Sequence, residues 1–323
     1  MKVSVVMAVY NGEKYLLEQL DSIKNQTRTP DEVLIGDDGS TDSSVALIKD
    51  YIKNNNLSWQ ISVNSERKGF GRNFFSLMNR CTGDAIFPSD QDDVWRLDKI
   101  EKMVEILEKN DNIALLISRY QMVSMDFSCR DFNSRNNPLN PEKCGIVRLS
   151  LHDVISQKDK TCPYAGMAQC IRASFYFNTF QNMNHFPVVH DRIMVLLSAD
   201  AGAFYKLNDF TVFHRVHVKN TSGVNRSVLD KIFRISVSER LKFLENFKNE
   251  DQSYLESQVY MSNTLREYLV ARSKYQTERV RAIRSGDASR IFRVFLQNRK
   301  KGYISVLSLL SDCKYILAKN VFG

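Results

Sequence analysis

Apolar and polar positions fall into blocks along the first ninety residues, and the blocks change period. Val3-Ser4-Val5-Val6-Met7-Ala8-Val9-Tyr10 is apolar at nearly every position, the pattern of a strand covered on both faces. Asn11-Gly12 breaks it, and the stretch from Glu13 to Ile23 then sets Leu16, Leu20 and Ile23 at helical spacing with charges between them. Later blocks predict a strand through Val33-Leu34-Ile35, a helix over 43–51, a short strand over 59–63, a helix over 73–79 and a strand over 84–88. This alternation predicts repeated βαβ units, hence an α/β fold on a mainly parallel sheet flanked by helices.

Two of these strands end in acid. Gly36-Asp37-Asp38-Gly39-Ser40-Thr41-Asp42 follows the second, and Ser89-Asp90-Gln91-Asp92-Asp93-Val94-Trp95 follows Ala85-Ile86-Phe87. Ligands of parallel α/β sheets bind beyond the carboxyl ends of the strands, so both runs converge on one pocket. Carboxylates as crowded as Asp90, Asp92 and Asp93 raise one another's pKa, and a hard divalent ion, Mn2+ or Mg2+, relieves that while offering its remaining positions to a diphosphate. Either run would equally serve as an acidic turn or a helix cap. Between them, Arg67-Lys68-Gly69-Phe70-Gly71-Arg72-Asn73 supplies cations, glycine-freed N–H groups and a helix start, all suited to a diphosphate.

The second half offers a base. In Pro187-Val188-Val189-His190-Asp191-Arg192-Ile193-Met194, Asp191 stands at a helix start, where the dipole favours the ionised, proton-accepting form. Residues 210–220 alternate like a strand carrying His214, Arg215, His217 and Lys219, then open into Thr221-Ser222-Gly223. The stretch from Tyr164 to Arg172 reads as a glycine-containing strand, with Gly166 admitting close approach to its backbone. Residues 126–159 are polar and proline-punctuated, a long connection expected to order over substrate.

The runs at 3–16, 35–42 and 89–95 resemble those of family 2 glycosyltransferases, with the likeness covering Met1 to about Leu116. The resemblance implies a GT-A nucleotide-diphospho-sugar transferase fold and a metal-dependent, inverting transfer from a nucleotide sugar. It implies that Ala8, Val9, Tyr10 and Asn11 line the base and ribose, and that Asp38 accepts from a pyrimidine N3–H, which favours UDP or dTDP. Arg67, Arg72, Asp90 and Gln91 would hold the rest of the donor, with Asp90 toward the ribose. Asp92 would ligate the metal, Asp93 would add a water-mediated ligand, and His217 would reach the metal or the diphosphate. Asp191 is the implied base. Gly166, Gln169 and Trp95 are the implied acceptor contacts. The form of 89–95 is similar to a branch that includes rhamnosyltransferases of bacterial surface polysaccharides, O-antigen or capsule, so dTDP-rhamnose is an expected donor. A nucleotidyltransferase would share the sheet but carry a glycine-rich basic loop where this chain has Tyr10-Asn11-Gly12-Glu13, and a non-catalytic sugar-binding or scaffold protein would need neither a base nor paired acidic loops.

Composition adds location. The 323 residues are 43% hydrophobic, and the cysteines at 81, 129, 144, 162, 170 and 313 form no C-x-x-C pair, which disfavours zinc or redox chemistry. No signal peptide precedes the first strand and no apolar run approaches the roughly 20 residues of a bilayer span, so a cytoplasmic chain is expected. Of the net charge of +8, residues 264–323 hold thirteen Lys or Arg against four Asp or Glu, leaving about −1 for the rest. A catalytic domain over 1–225, with a nucleotide-sugar half at 1–116 and an acceptor half at 117–225, thus precedes a basic helical region at 226–323. Its apolar stripes are Val228, Ile232, Ile235, Leu241, Phe243 and Leu244, then Ile291, Phe292, Val294, Phe295 and Leu296 among Arg290, Arg293, Arg299, Lys300 and Lys301. Such helices suit the anionic inner face of the plasma membrane, fitting a lipid-linked glycan acceptor, or else pack as a bundle. No nucleic-acid motif accompanies the charge, and oligomeric state is not written in the sequence.

Overall fold

A computed structural model describes residues 1–124, 145–156, 164–180, 189–215, 237–257, 259–299 and 312–313. Strand β1 (Val3–Val9) is buried at every position but Ala8, as its unbroken apolar run requires. Helix α1 (Leu16–Lys24) buries Leu16, Leu20 and Ile23. β2 (Glu32–Asp37), α2 (Ser44–Asn54), β3 (Gln60–Val63), α3 (Phe70–Met78) and β4 (Ala85–Ser89) follow in strict alternation. The parallel half of the sheet runs β3-β2-β1-β4, with Val5 registered against Val33 on one side and Phe87 on the other.

A short β5 (Val94–Trp95) and α4 (Lys99–Lys109) lead into the second half. There β6 (Leu115–Val123), β7 (Ile146–Arg148), a five-residue α5 (Leu151–Ile155), β8 (Gln169–Arg172), α6 (Ala173–Phe180), α7 (His190–Asp200) and the long β9 (Phe204–Arg215) occur in that order. β8 inserts antiparallel between β4 and β6, β9 runs parallel to β6, and β5 and β7 pair antiparallel to β9. The sheet is therefore parallel where the nucleotide half was expected and mixed beyond it. Trp95, Phe87, Ile100, Met103 and Leu116 belong to its main core.

The chain divides into two compact units: residues 1–150 with 160–217, and residues 151–159 with 218–323. The division expected at 225 lies outside the described residues, as do Val228, Ile232 and Ile235. The second unit contains α8 (Val237–Glu256), α9 (Asn263–Ser285) and α10 (Ala288–Arg299). Ser262 caps α9 by accepting from the Leu265 N–H at 3.2 Å, and Gly286 ends it in the left-handed conformation at φ 74°. Leu244, Val280, Ala282, Ile283 and Ile291 form the apolar centre here. Among the described residues no helix is long and apolar enough to cross a membrane.

Candidate active site

Three loops at the carboxyl ends of β1, β2 and β4 are stitched to one another by side chains. The Asn11 N–H donates to Ser40 Oγ at 2.9 Å, Asn11 Oδ1 accepts from the Thr41 N–H at 2.8 Å, and the Gly12 N–H donates to Ser44 Oγ at 2.8 Å. Gln91 closes the third side, its Oε1 accepting from the Tyr10 N–H at 2.8 Å and its Nε2 donating to the Tyr10 carbonyl at 3.0 Å. Gly12 makes room for this latch, since a Cβ there would lie 2.4 Å from Gln91 Oε1. Gln91 was expected against the donor. Its amide is instead spent on backbone, so its part is to hold the first loop against the acidic one.

Asp38 is nearly buried, and its carboxylate organises the basic loop. Oδ1 accepts from the Lys68 N–H at 2.7 Å and Asn64 Nδ2 at 3.1 Å, and Oδ2 from the Gly69 N–H at 2.8 Å. These bonds occupy three of about four acceptor positions and leave one lone pair of Oδ2. Asn64, which no local sequence pattern singles out, shares the spot and also donates to Asn73 Oδ1 at 3.1 Å. Arg67 lies with its guanidinium carbon 3.8 Å from the Tyr10 ring centroid, at the expected base site, while Arg72 is exposed on the first turn of α3. Ala8 is half-buried and Val9 fully buried at the end of β1.

The acidic run carries unrelieved charge. Burial first, then the charges of Asp93 and Asp92, hold the Asp90 carboxyl well above the usual carboxylate range; His214 pulls it back and Asp191 pushes it further up. Asp191 is thus among the charges that raise Asp90, although one hundred residues of chain separate the two. Asp93 lies behind the run, fully buried. Its Oδ1 pairs with His214 Nδ1 at 2.7 Å and accepts from the Arg215 N–H at 3.2 Å, while Oδ2 has no partner among the described residues. Burial raises Asp93, against the pull of His214. Burial lowers His214, but the hydrogen bond and charge of Asp93, with Asp90 and Asp92 beyond, more than reverse it. Asp93 thus anchors the end of β9 through Oδ1. Arg215, nearly buried, donates from Nε to the Asp92 carbonyl at 3.2 Å, pairs with Glu18 of α1 and covers the Tyr15 ring. The pairing of Asp93 with His214 spans 121 positions, which no local pattern reveals.

Beside Asp191, the residues expected to contact an acceptor are buried. Gln169 is fully buried, its Nε2 donating to the Asp191 carbonyl at 3.1 Å with Oε1 unpartnered. Gly166, also buried, leaves the space that His190 fills: a Cβ on it would lie 2.8 Å from His190 Nε2. Trp95 is wholly enclosed, tilted against Phe87 with the Lys99 ammonium 4.7 Å from its ring. All three are buried, held by apolar packing or by neighbouring backbone. Lys99 is itself buried, donating to the Met167 carbonyl at 2.9 Å, and burial pulls it down to about 7. His217 lies outside the described residues.

Among the described residues no three His, Cys, Asp or Glu side chains already form a ligand set. What they do provide is a carboxylate run whose repulsion is unrelieved and whose buried Asp93 Oδ2 lacks a partner. Oxygen donors of that kind fit a hard divalent ion completed by a ligand's phosphates. Asp90 and Asp92 are partly exposed, whereas Asp93 is fully buried.

Residues 4–155 match the family model described as glycosyl transferase family 2. The dTDP-rhamnosyl transferase RfbG of Shigella flexneri is 34% identical over 113 residues, 32% of this chain and 38% of that protein. The chain spans well under half the length of the curated relatives it matches in this way. Among solved structures, Staphylococcus aureus TarS 1-349 in complex with UDP-GlcNAc superposes with a TM-score of 0.59 at 15% identity, covering 99% of this chain and 92% of that one. The mannosyltransferase PcManGT of Pyrobaculum calidifontis, in complex with GDP-Man and Mn2+, gives 0.53 at 14% identity over 99% and 87%. At such identities the likeness is one of fold, and the fold is GT-A.

Proposed function

We propose, from the match of residues 4–155 to the glycosyl transferase family 2 model, that this chain is an inverting glycosyltransferase of bacterial polysaccharide synthesis. The donor is a UDP- or dTDP-sugar, dTDP-rhamnose being the specific candidate, and the acceptor a glycan carried on a lipid at the inner face of the plasma membrane. The observation that carries the reading is the charge of Asp191 acting on Asp90. A carboxylate on the first turn of α7 sits where the helix dipole favours the anionic form, the form that can take the acceptor hydroxyl proton. Its Oδ1 accepts from the Arg192 N–H at 2.7 Å, and Gln169 fixes its backbone.

A bound Mn2+ or Mg2+, held by Asp92 with Asp90 beside it, would neutralise charge developing on the leaving diphosphate. The chain's own residues do the rest. Arg67, Arg72 and the N–H groups opening α3 bind donor phosphate and base. Gln91 and Asp38 keep the loops at fixed separation, and Arg215 ties the Asp92 carbonyl to α1. With base and leaving group on opposite sides of the sugar, attack inverts the anomeric centre.

A nucleotide-release screen across UDP-, dTDP- and GDP-sugars, with and without manganese, tests the reading. Release should require manganese and a UDP- or dTDP-sugar, and Asp191→Asn should lower kcat by about 10²–10⁴ while donor Kd holds. Normal turnover by Asp191→Asn would remove the base. No release from any donor would remove the activity.

A further inference from the structure

We propose that the outer face of α10, Phe292 and Leu296 beside Arg293, docks on the surface of an anionic lipid bilayer. The proposal deepens the lipid-carried acceptor of the preceding reading but is built on the second unit alone. Helix α10 turns Ile291 and Phe295 inward, Ile291 against Leu244, Val280 and Ile283. One hundred degrees further round, its apolar surface continues into solvent: Phe292 and Leu296, a turn apart, are each 54% exposed. A helix at the rim of a compact unit ordinarily presents polar residues there.

Charge says what covers this face. Residues 288–311 hold Arg290, Arg293, Arg299, Lys300 and Lys301 and no Asp or Glu. Arg290 is committed to Glu278 at 3.2 Å, whereas Arg293 lies exposed on the next flank of the helix. Two copies meeting on this face about a twofold axis would oppose like charge to like. Nucleic acid would satisfy the cations and leave Phe292 and Leu296 without an apolar layer. An anionic leaflet offers both, headgroup phosphate for the cations and acyl chain for the rings and methyls. Because α10 is too short and too charged to cross a bilayer, it would lie along it.

The test is sedimentation of the full chain, without nucleotide, with phosphatidylglycerol–phosphatidylethanolamine vesicles and with pure phosphatidylcholine. Binding is expected to the former alone, and to weaken as salt rises from 0.1 to 1 M and the Debye length falls from about 10 to about 3 Å. Phe292→Glu with Leu296→Glu should cut the partition coefficient at least about tenfold, and Arg293→Gln alone about fivefold at low salt. Nucleotide release with a soluble acceptor should stay at the wild-type rate in both variants. Equal partition by both variants, or a wild-type dimer that the double variant abolishes, would overturn the proposal. Vesicle binding without any sugar transfer would instead sink the glycosyltransferase reading and leave this surface standing.

Discussion

His190 is nearly buried between Phe74, stacked at 4.0 Å between ring centroids, and the backbone of Gly166. Among the described residues neither ring nitrogen has a partner, and burial holds its pKa down, at about 3. The folded state therefore refuses a proton that the unfolded chain accepts near 6.5. Stability from this residue is complete above about pH 6.5 and drains away as pH falls toward 3, amounting to about 2 kcal/mol at pH 5. His190→Leu should flatten the acid side of the Tm–pH curve by that amount, and an unchanged slope would show the imidazole to be solvated. His214 obeys the opposite sign, being held above its usual value by Asp93. Its contribution is present below pH 6.5 and is lost as pH rises through its folded value. Removing it with His214→Phe strands the Asp93 carboxylate, a cost of about 3 kcal/mol at pH 7 that should shrink in acid, where Asp93 takes up a proton. Urea titrations at pH 7 and pH 5 measure the difference.

At the scale of elements, the base depends on how closely α7 approaches the turn over Gly166–Ala168. Gly166→Ala would set a Cβ 2.8 Å from His190 Nε2 and 3.4 Å from Asp191 Cβ, so the first turn of α7 must retreat. A shift near 1 Å costs on the order of 10² in rate. We expect kcat to fall by about that factor while donor Kd stays fixed; a rise in Kd with kcat intact would place the turn at the donor instead. This geometry also marks where sequence reading stopped. The strands of the parallel half were legible because doubly covered strands are apolar throughout, and Val3–Val9 and Ala85–Ser89 fall where their runs lie. Helix α3 begins at Phe70 rather than at Asn73 because Gly69, at φ 82°, turns the chain into it early. Which way Gln169 points depends on β8 inserting antiparallel beside β4, and which way Trp95 points depends on β5 pairing with β9; nothing local encodes either pairing.

For the whole molecule, the two units invite separate treatment because each has its own core and its own buried ion pairs. In the second unit Asp312 is nearly enclosed between two arginines. Its Oδ2 accepts from Arg279 Nε at 2.6 Å, and its Oδ1 from Arg279 Nη2 and Arg240 Nη2, both at 3.0 Å. Residues from α8, from α9 and from beyond α10 thus meet at one carboxylate. The sequence showed apolar stripes in this region but not which side of each faces the core: Leu244 is buried beside an exposed Phe243, and Ile291 beside an exposed Phe292. Asp312→Ala would leave Arg279 and Arg240 facing each other without a counter-charge, at a cost of about 3–5 kcal/mol. Calorimetry of the full chain should then show one transition lowered and another unmoved. Adding UDP with manganese at 100 times Kd should raise the unmoved one by about 2.7 kcal/mol, since every donor residue named above belongs to the first unit. If the substitution and the nucleotide instead shift a single transition in opposite directions, the units unfold as one cooperative block and the nucleotide's stabilisation reaches Asp312.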